Sequence, residues 1–72
     1  MEEFLRYSMA HKRRIKAILL IDNQMVQENI AIVAFDSQEF TFTSAKQKKP
    51  RTLSMQCLLS AGYHRGDTGE TD

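Results

Sequence analysis

The sequence predicts a mainly β fold of the α+β kind: one N-terminal helix, then a four- to five-stranded antiparallel sheet bent into a small barrel. Three observations predict it. Residues 30–44 hold two β-branched and aromatic runs about a polar turn, Asp36-Ser37-Gln38-Glu39. Residues 51–63 alternate apolar and polar side chains with a period of two. Residues 2–14 begin with acids, carry apolar residues at helical spacing and end with bases.

Taken in order, residues 2–14 bring Phe4, Leu5, Met9 and, at the margin, Ser8 to one helical face. Glu2 and Glu3 suit the positive end of the helix dipole, and Lys12, Arg13 and Arg14 the negative end. The helix is expected to cap a sheet with its Phe4/Leu5/Met9 face. Residues 15–21 read as the first strand, with Ile15, Ala17, Leu19 and Ile21 on one face and Ile18 and Leu20 on the other. A buried helical turn is the rival reading there, because Ala and Leu favour helix. Asp22-Asn23 is a turn dipeptide.

Residues 25–35 form a second strand, long enough to bend or bulge and to serve both halves of a barrel. In residues 39–44, Phe40 and Phe42 point one way and Thr41 and Thr43 the other. The Phe side is expected in the core rather than at a binding face. A loop, 45–50, ends in Pro50, which cannot continue a central strand. Residues 51–63 are expected as one last strand, with Leu53, Met55, Cys57, Leu59, Ala61 and Tyr63 on its apolar face. Residues 1–65 are thus one domain and 66–72 a polar, flexible tail. Short connections make neighbouring strands antiparallel. A strongly bent sheet of this size, closed at one end by a helix, is an SH3-like or Sm-like small barrel. A flat four-stranded sheet crossed by one helix is the alternative.

Composition excludes several classes. At 72 residues, 42% hydrophobic and 26% charged, the chain is ordinary for one small globular domain and unlike a disordered one. A domain of this size buries only about 60% of its unfolded surface, so a homo-oligomer or a partner protein is expected to add burial. The long last strand offers an edge for such pairing. A single cysteine, Cys57, forms no intramolecular disulfide, and the acidic Met1-Glu2-Glu3 start is unlike a signal peptide. The longest apolar run, 17–21, is too short to span a membrane. These features point to the cytoplasm, with no membrane partner.

The net charge of +1 is unevenly spread. Between Arg6 and Arg65, ten cations face only four carboxylates, a net +6, and the remaining acids sit at the two ends. The cations form two clusters: Lys12, Arg13, Arg14 and Lys16, then Lys46, Lys48, Lys49 and Arg51. Clustered cations bind phosphate by releasing counterions. If the end of the helix and the late loop lie together, Arg14, Lys16, Lys46, Lys48, Lys49 and Arg51 form one anion- or nucleic-acid-binding patch. Tyr7, Tyr63 and His64 are then candidate stacking surfaces beside it. The plainer account is that these cations complement a helix end and solvate a loop.

Other chemistry is weakly signalled. Cys57, His11 and His64 match no ligand spacing for a metal, and Cys57 on an apolar strand face reads as an inert thiol. No nucleophile–base or paired-carboxylate arrangement suggests an enzyme, and no cofactor signature is present. Arg65-Gly66-Asp67 reads as a polar turn in the tail.

The segment Arg51-Thr52-Leu53-Ser54-Met55-Gln56-Cys57-Leu58 has the spacing Arg-x-Phe-x-Leu-x-x-Ile, with Leu53, Met55 and Leu58 in the apolar places. Phe40-Thr41-Phe42 stands where a Trp-Tyr-Leu run would precede it. With the short helix ending in bases, this order of elements resembles the WYL domain of bacterial regulators, a module of Sm-like or SH3-like β fold. The chain has no Trp, Thr41 takes the central aromatic place, and Cys57 takes a place that is usually basic. The resemblance implies a regulatory module that senses a ligand or nucleic acid.

Overall fold

The computed structural model describes residues 2–64. They contain one helix, α1 (Glu2–His11), and five strands: β1 (Ile15–Ile21), β2 (Gln24–Phe35), β3 (Glu39–Ser44), β4 (Arg51–Ser54) and β5 (Leu58–Tyr63). A 3-10 turn, Met55–Cys57, joins the last two. All pairings are antiparallel, in the order β4-β3-β2-β1-β5. This is the mainly β plan with an N-terminal helix that the alternation predicts. The tail at 66–72 and Arg65-Gly66-Asp67 lie outside the described residues.

β2 organises the sheet. Its first half pairs with β1, from Ile21↔Gln24 to Ile15↔Ile30, and its second half with β3, from Ile30↔Ser44 to Phe35↔Phe40. Ile30 belongs to both ladders and is wholly buried. A bulge at Val33 falls between Ile32 and Ala34, turning this half-exposed residue outward. The long strand therefore serves two half-sheets, as its length suggests.

The connection between the edges requires the sheet to curl. In a flat sheet β4 and β5 would lie four strand spacings apart, about 19 Å. Ser54 to Leu58 is four Cα steps, which reach at most about 15 Å. Only a curled sheet brings its edges within that reach, which removes the flat alternative. No ladder joins β4 to β5 among the described residues, so the curled sheet stays open.

Two tight turns hold the hairpins. Asp22 and Asn23 both adopt left-handed φ, 52° and 63°, in the two-residue β1–β2 turn that such angles favour. At the β2–β3 turn, Asp36 Oδ1 accepts hydrogen bonds from the Gln38 and Glu39 amides at 2.7 and 2.9 Å. Those two bonds hold the Asp36 carboxyl below its ordinary pKa.

The core lies between the inner face of the sheet and α1. Leu5, Ile15, Leu19, Ile30 and Phe40 have no exposed surface, and Ala17, Ile32, Phe42 and Leu58 have almost none. The inward set of β1 is the expected one. Phe40 and Phe42 stack at 5.4 Å between centroids, so two of the three hairpin phenylalanines are core, and Phe35 is half-buried.

Two expectations are corrected. The helix ends at His11 rather than running to Arg14. Lys12 takes a left-handed φ of 52°, and the Arg13 amide donates to the Ser8 carbonyl at 3.2 Å, closing the helix as a Schellman motif does. Its inward residues are Leu5, Tyr7 and Ser8, whereas Met9 is 39% exposed and Phe4 half-buried. The cause is a polar contact. Ser8 Oγ accepts from the Ile32 amide at 2.9 Å and donates to the Arg13 carbonyl at 2.6 Å. The β1 ladder stops at Ile30, so the Ile32 amide needs another acceptor, and α1 rotates to supply one.

The second correction concerns residues 51–63, which are not one strand. The 3-10 turn interrupts them, with Ser54 Oγ accepting from the Gln56 amide at 3.3 Å and the Met55 amide donating to Gln38 at 2.7 Å. Three turn residues shift the phase of the alternation, so Leu58 is inward at 4% exposure and Leu59 outward at 42%. Leu59 is the bulge residue opposite the Ile18–Leu19 step. A chain that must cross from one sheet edge to the other cannot stay extended.

Candidate anion-binding face

The ladder register sets the start of β1 and the end of β3, each beside a basic cluster, on one row through the middle of the sheet. Ile15, Ile30 and Ser44 form a row across β1, β2 and β3. Arg14 and Lys16 flank Ile15 at the start of this row, and Ala45 and Lys46 follow Ser44 at its far side. Backbones two strands apart are about 10 Å distant.

Lys16 lies between buried Ile15 and Ala17, so strand alternation turns it to the outer face. Its cross-strand neighbours there are Asn29 on β2 and Gly62 on β5. Gly62 leaves the surface beside Lys16 open: a Cβ built on it meets no atom within 4 Å. A shallow hollow of about 310 Å³ is bounded by Lys16, Ile18, Gln27, Ser60, Ala61 and Gly62.

Lys46 is fixed by the turn that ends β3. The Ser44 amide donates to the Gln47 carbonyl at 3.0 Å, and Ser44 Oγ accepts from the Gln47 amide at 3.1 Å. This places Lys46 on a cleft of about 160 Å³ with Gln27, Glu28, Asn29, Ser44 and Ala45. Gln27 lines both hollows, so Lys16 and Lys46 flank the same stretch of β2. The loop then forms a hollow of its own, about 400 Å³, from Gln47, Lys48, Lys49, Pro50 and Arg51. Arg51 opens β4 opposite Phe42.

All six predicted cations, Arg14, Lys16, Lys46, Lys48, Lys49 and Arg51, are exposed. None forms an ion pair among the described residues, in contrast to Arg6, which sits 3.2 Å from Glu2. Lys16 and Lys46 share a wall, whereas Lys48, Lys49 and Arg51 form a second group along the loop. One carboxylate, Glu28, enters the cleft beside Lys46. Such a surface can attract and hold phosphate groups by charge, with the amides of Gln27 and Asn29 as added donors. Those two amides and Ser44 were not readable as site residues from sequence. The one signal for the two amides is a polar run, Gln27-Glu28-Asn29, inside a strand long enough to be half-exposed.

Of the expected stacking surfaces, Tyr7 is corrected. Tyr7 is 8% exposed, and the Arg13 guanidinium donates to its hydroxyl at 3.2 Å. Tyr63 packs edge-on against Phe4 and Tyr7, with centroids at 4.9 and 5.1 Å. His11 lies 4.9 Å from the Tyr7 ring. These rings pin α1 to β5, with Tyr63 left 37% exposed. His64 is exposed and follows β5 directly. Cys57 is a half-buried free thiol in the 3-10 turn, and no group of metal-binding side chains occurs among the described residues. No described helix is long and apolar enough to cross a membrane. Comparison with protein-family models, curated proteins and solved structures finds no match to the chain.

Proposed function

We propose that the chain is a small, non-catalytic binding module, WYL-like in plan, that holds nucleic acid or another anionic ligand on its basic face. It acts as a regulatory domain in the bacterial cytoplasm. One observation supports the reading: Lys16 and Lys46 border hollows that share Gln27, and with Arg14, Lys48, Lys49 and Arg51 they are exposed and form no ion pair among the described residues. Exposed cations of one sign raise the local concentration of anions and release counterions when they bind.

Retention on a heparin column over a salt gradient tests it. The wild-type chain is expected to elute well after Lys48→Glu/Lys49→Glu/Arg51→Glu. Unchanged retention of the triple variant would remove the role assigned to the loop.

A second reading is favoured by the strand order. β4 and β5 each have one side without a ladder partner among the described residues, so a second copy or a partner protein can add a strand there. Light scattering tests it: a mass above that of one chain at high concentration supports assembly, and a strict monomer with no captured partner opposes it.

A further inference from the structure

We infer that the partner on the basic face is a nucleic-acid duplex, gripped at its phosphates and without base stacking. The inference rests on the anion-binding reading above and names the class of anion.

It follows from where the aromatic rings are. The chain has four Phe, two Tyr and no Trp. Phe40 and Phe42 are core, 0% and 3% exposed, and Tyr7 is 8% exposed. Tyr63 pairs with Ile15, so it shares the inner face of the sheet, where Phe4 and Tyr7 pack edge-on against its ring and leave it 37% exposed. Phe35 ends β2, six residues and about 20 Å along the strand from Asn29. No Phe or Tyr ring lines the hollows beside Lys16, Lys46 or the loop.

Single-stranded nucleic acid is held by stacking, which contributes about 1–3 kcal/mol per base. The hollows that hold these cations offer no Phe or Tyr ring for it. A duplex needs none, because it presents a rigid array with one charge per about 1.7 Å of axis. The surface suits such an array. Lys16 stands over open space at Gly62, the hollows are shallow, and α1 lies on the other face of the sheet, where it cannot enter a groove to read bases. Contacts confined to phosphate carry no sequence information.

The test is fluorescence anisotropy of the full chain with a labelled 20-base-pair duplex, its separate strand and labelled heparin, between 50 and 200 mM salt. The duplex is expected to bind at least tenfold more tightly than the strand, equally for a scrambled sequence. The slope of log affinity against log salt is expected at about −3.6 to −5.4, from about four to six neutralised phosphates. Lys48→Glu/Lys49→Glu should weaken duplex binding at least tenfold. Gly62→Glu, which puts a carboxylate into open space beside Lys16, should weaken it without unfolding the chain. Equal or tighter binding of the single strand overturns the inference, as does a clear sequence preference. Binding to heparin but to neither nucleic acid overturns the inference and leaves the anion-binding reading standing. Binding to none of the three removes both.

Discussion

At the residue scale, the most consequential side chain is Ser8. It is wholly buried, and its hydroxyl replaces the strand that β2 lacks at Ile32. It also accounts for the rotation of α1 that turns Tyr7 in and Met9 out. Ser8→Ala leaves the Ile32 amide and the Arg13 carbonyl without this partner, and is expected to cost about 1–3 kcal/mol in urea unfolding. Ser54→Ala, which removes an exposed 3.3 Å bond, is expected to cost less. Lys12 is the opposite case, a non-glycine residue at the left-handed position of a helix end. Lys12→Gly is expected to raise stability by up to about 1 kcal/mol in the same measurement.

Asp36 gives the fold an acid-sensitive element. Its carboxylate accepts two backbone amides, so its folded pKa lies below the unfolded value. Its contribution is complete above the ordinary aspartate value of about 4 and is lost as pH falls through the lowered one. Asp36→Asn keeps an acceptor oxygen but does not titrate there. Its unfolding midpoint is therefore expected to vary less than that of the wild type between pH 5 and pH 2.

At the element scale, the division of residues 51–63 is the point on which sequence and structure part. The alternation across this segment is real, yet it is also compatible with a phase shift, because Leu58 and Leu59 are adjacent and chemically alike. Leu58→Ala is expected to cost about 2–5 kcal/mol, as a core truncation does, and Leu59→Ala to stay within about 0.5 kcal/mol. Equal costs would restore the single strand. Elsewhere local rules were sufficient. β-branched and aromatic runs separated by Asp22-Asn23 and by Asp36 specify the two hairpins, and Ile15, Ala17 and Leu19 specify the inward face of β1. The inward face of α1 was not legible, because it depends on an amide 24 residues away that only the folded ladder leaves in need of an acceptor.

At the scale of the whole molecule, a three-residue link between the sheet edges makes the sheet curl, and the long β2 gives it two halves to curl about. The same register decides the site. The cations themselves were visible in the sequence as charge clusters. That Lys16 and Lys46 border the same stretch of β2 was not, since it rests on Ile15, Ile30 and Ser44 sharing a row. The central claim is that this row builds one anion-binding face from two distant segments. Its most direct test is a ¹H–¹⁵N NMR titration of the full chain with an unlabelled duplex. The account expects amide shifts at Arg14–Lys16, Gln27–Asn29 and Ala45–Arg51, with the turns at Asp22-Asn23 and Asp36–Glu39 unmoved. Shifts confined to one basic segment, or centred on α1 and those turns, would contradict it.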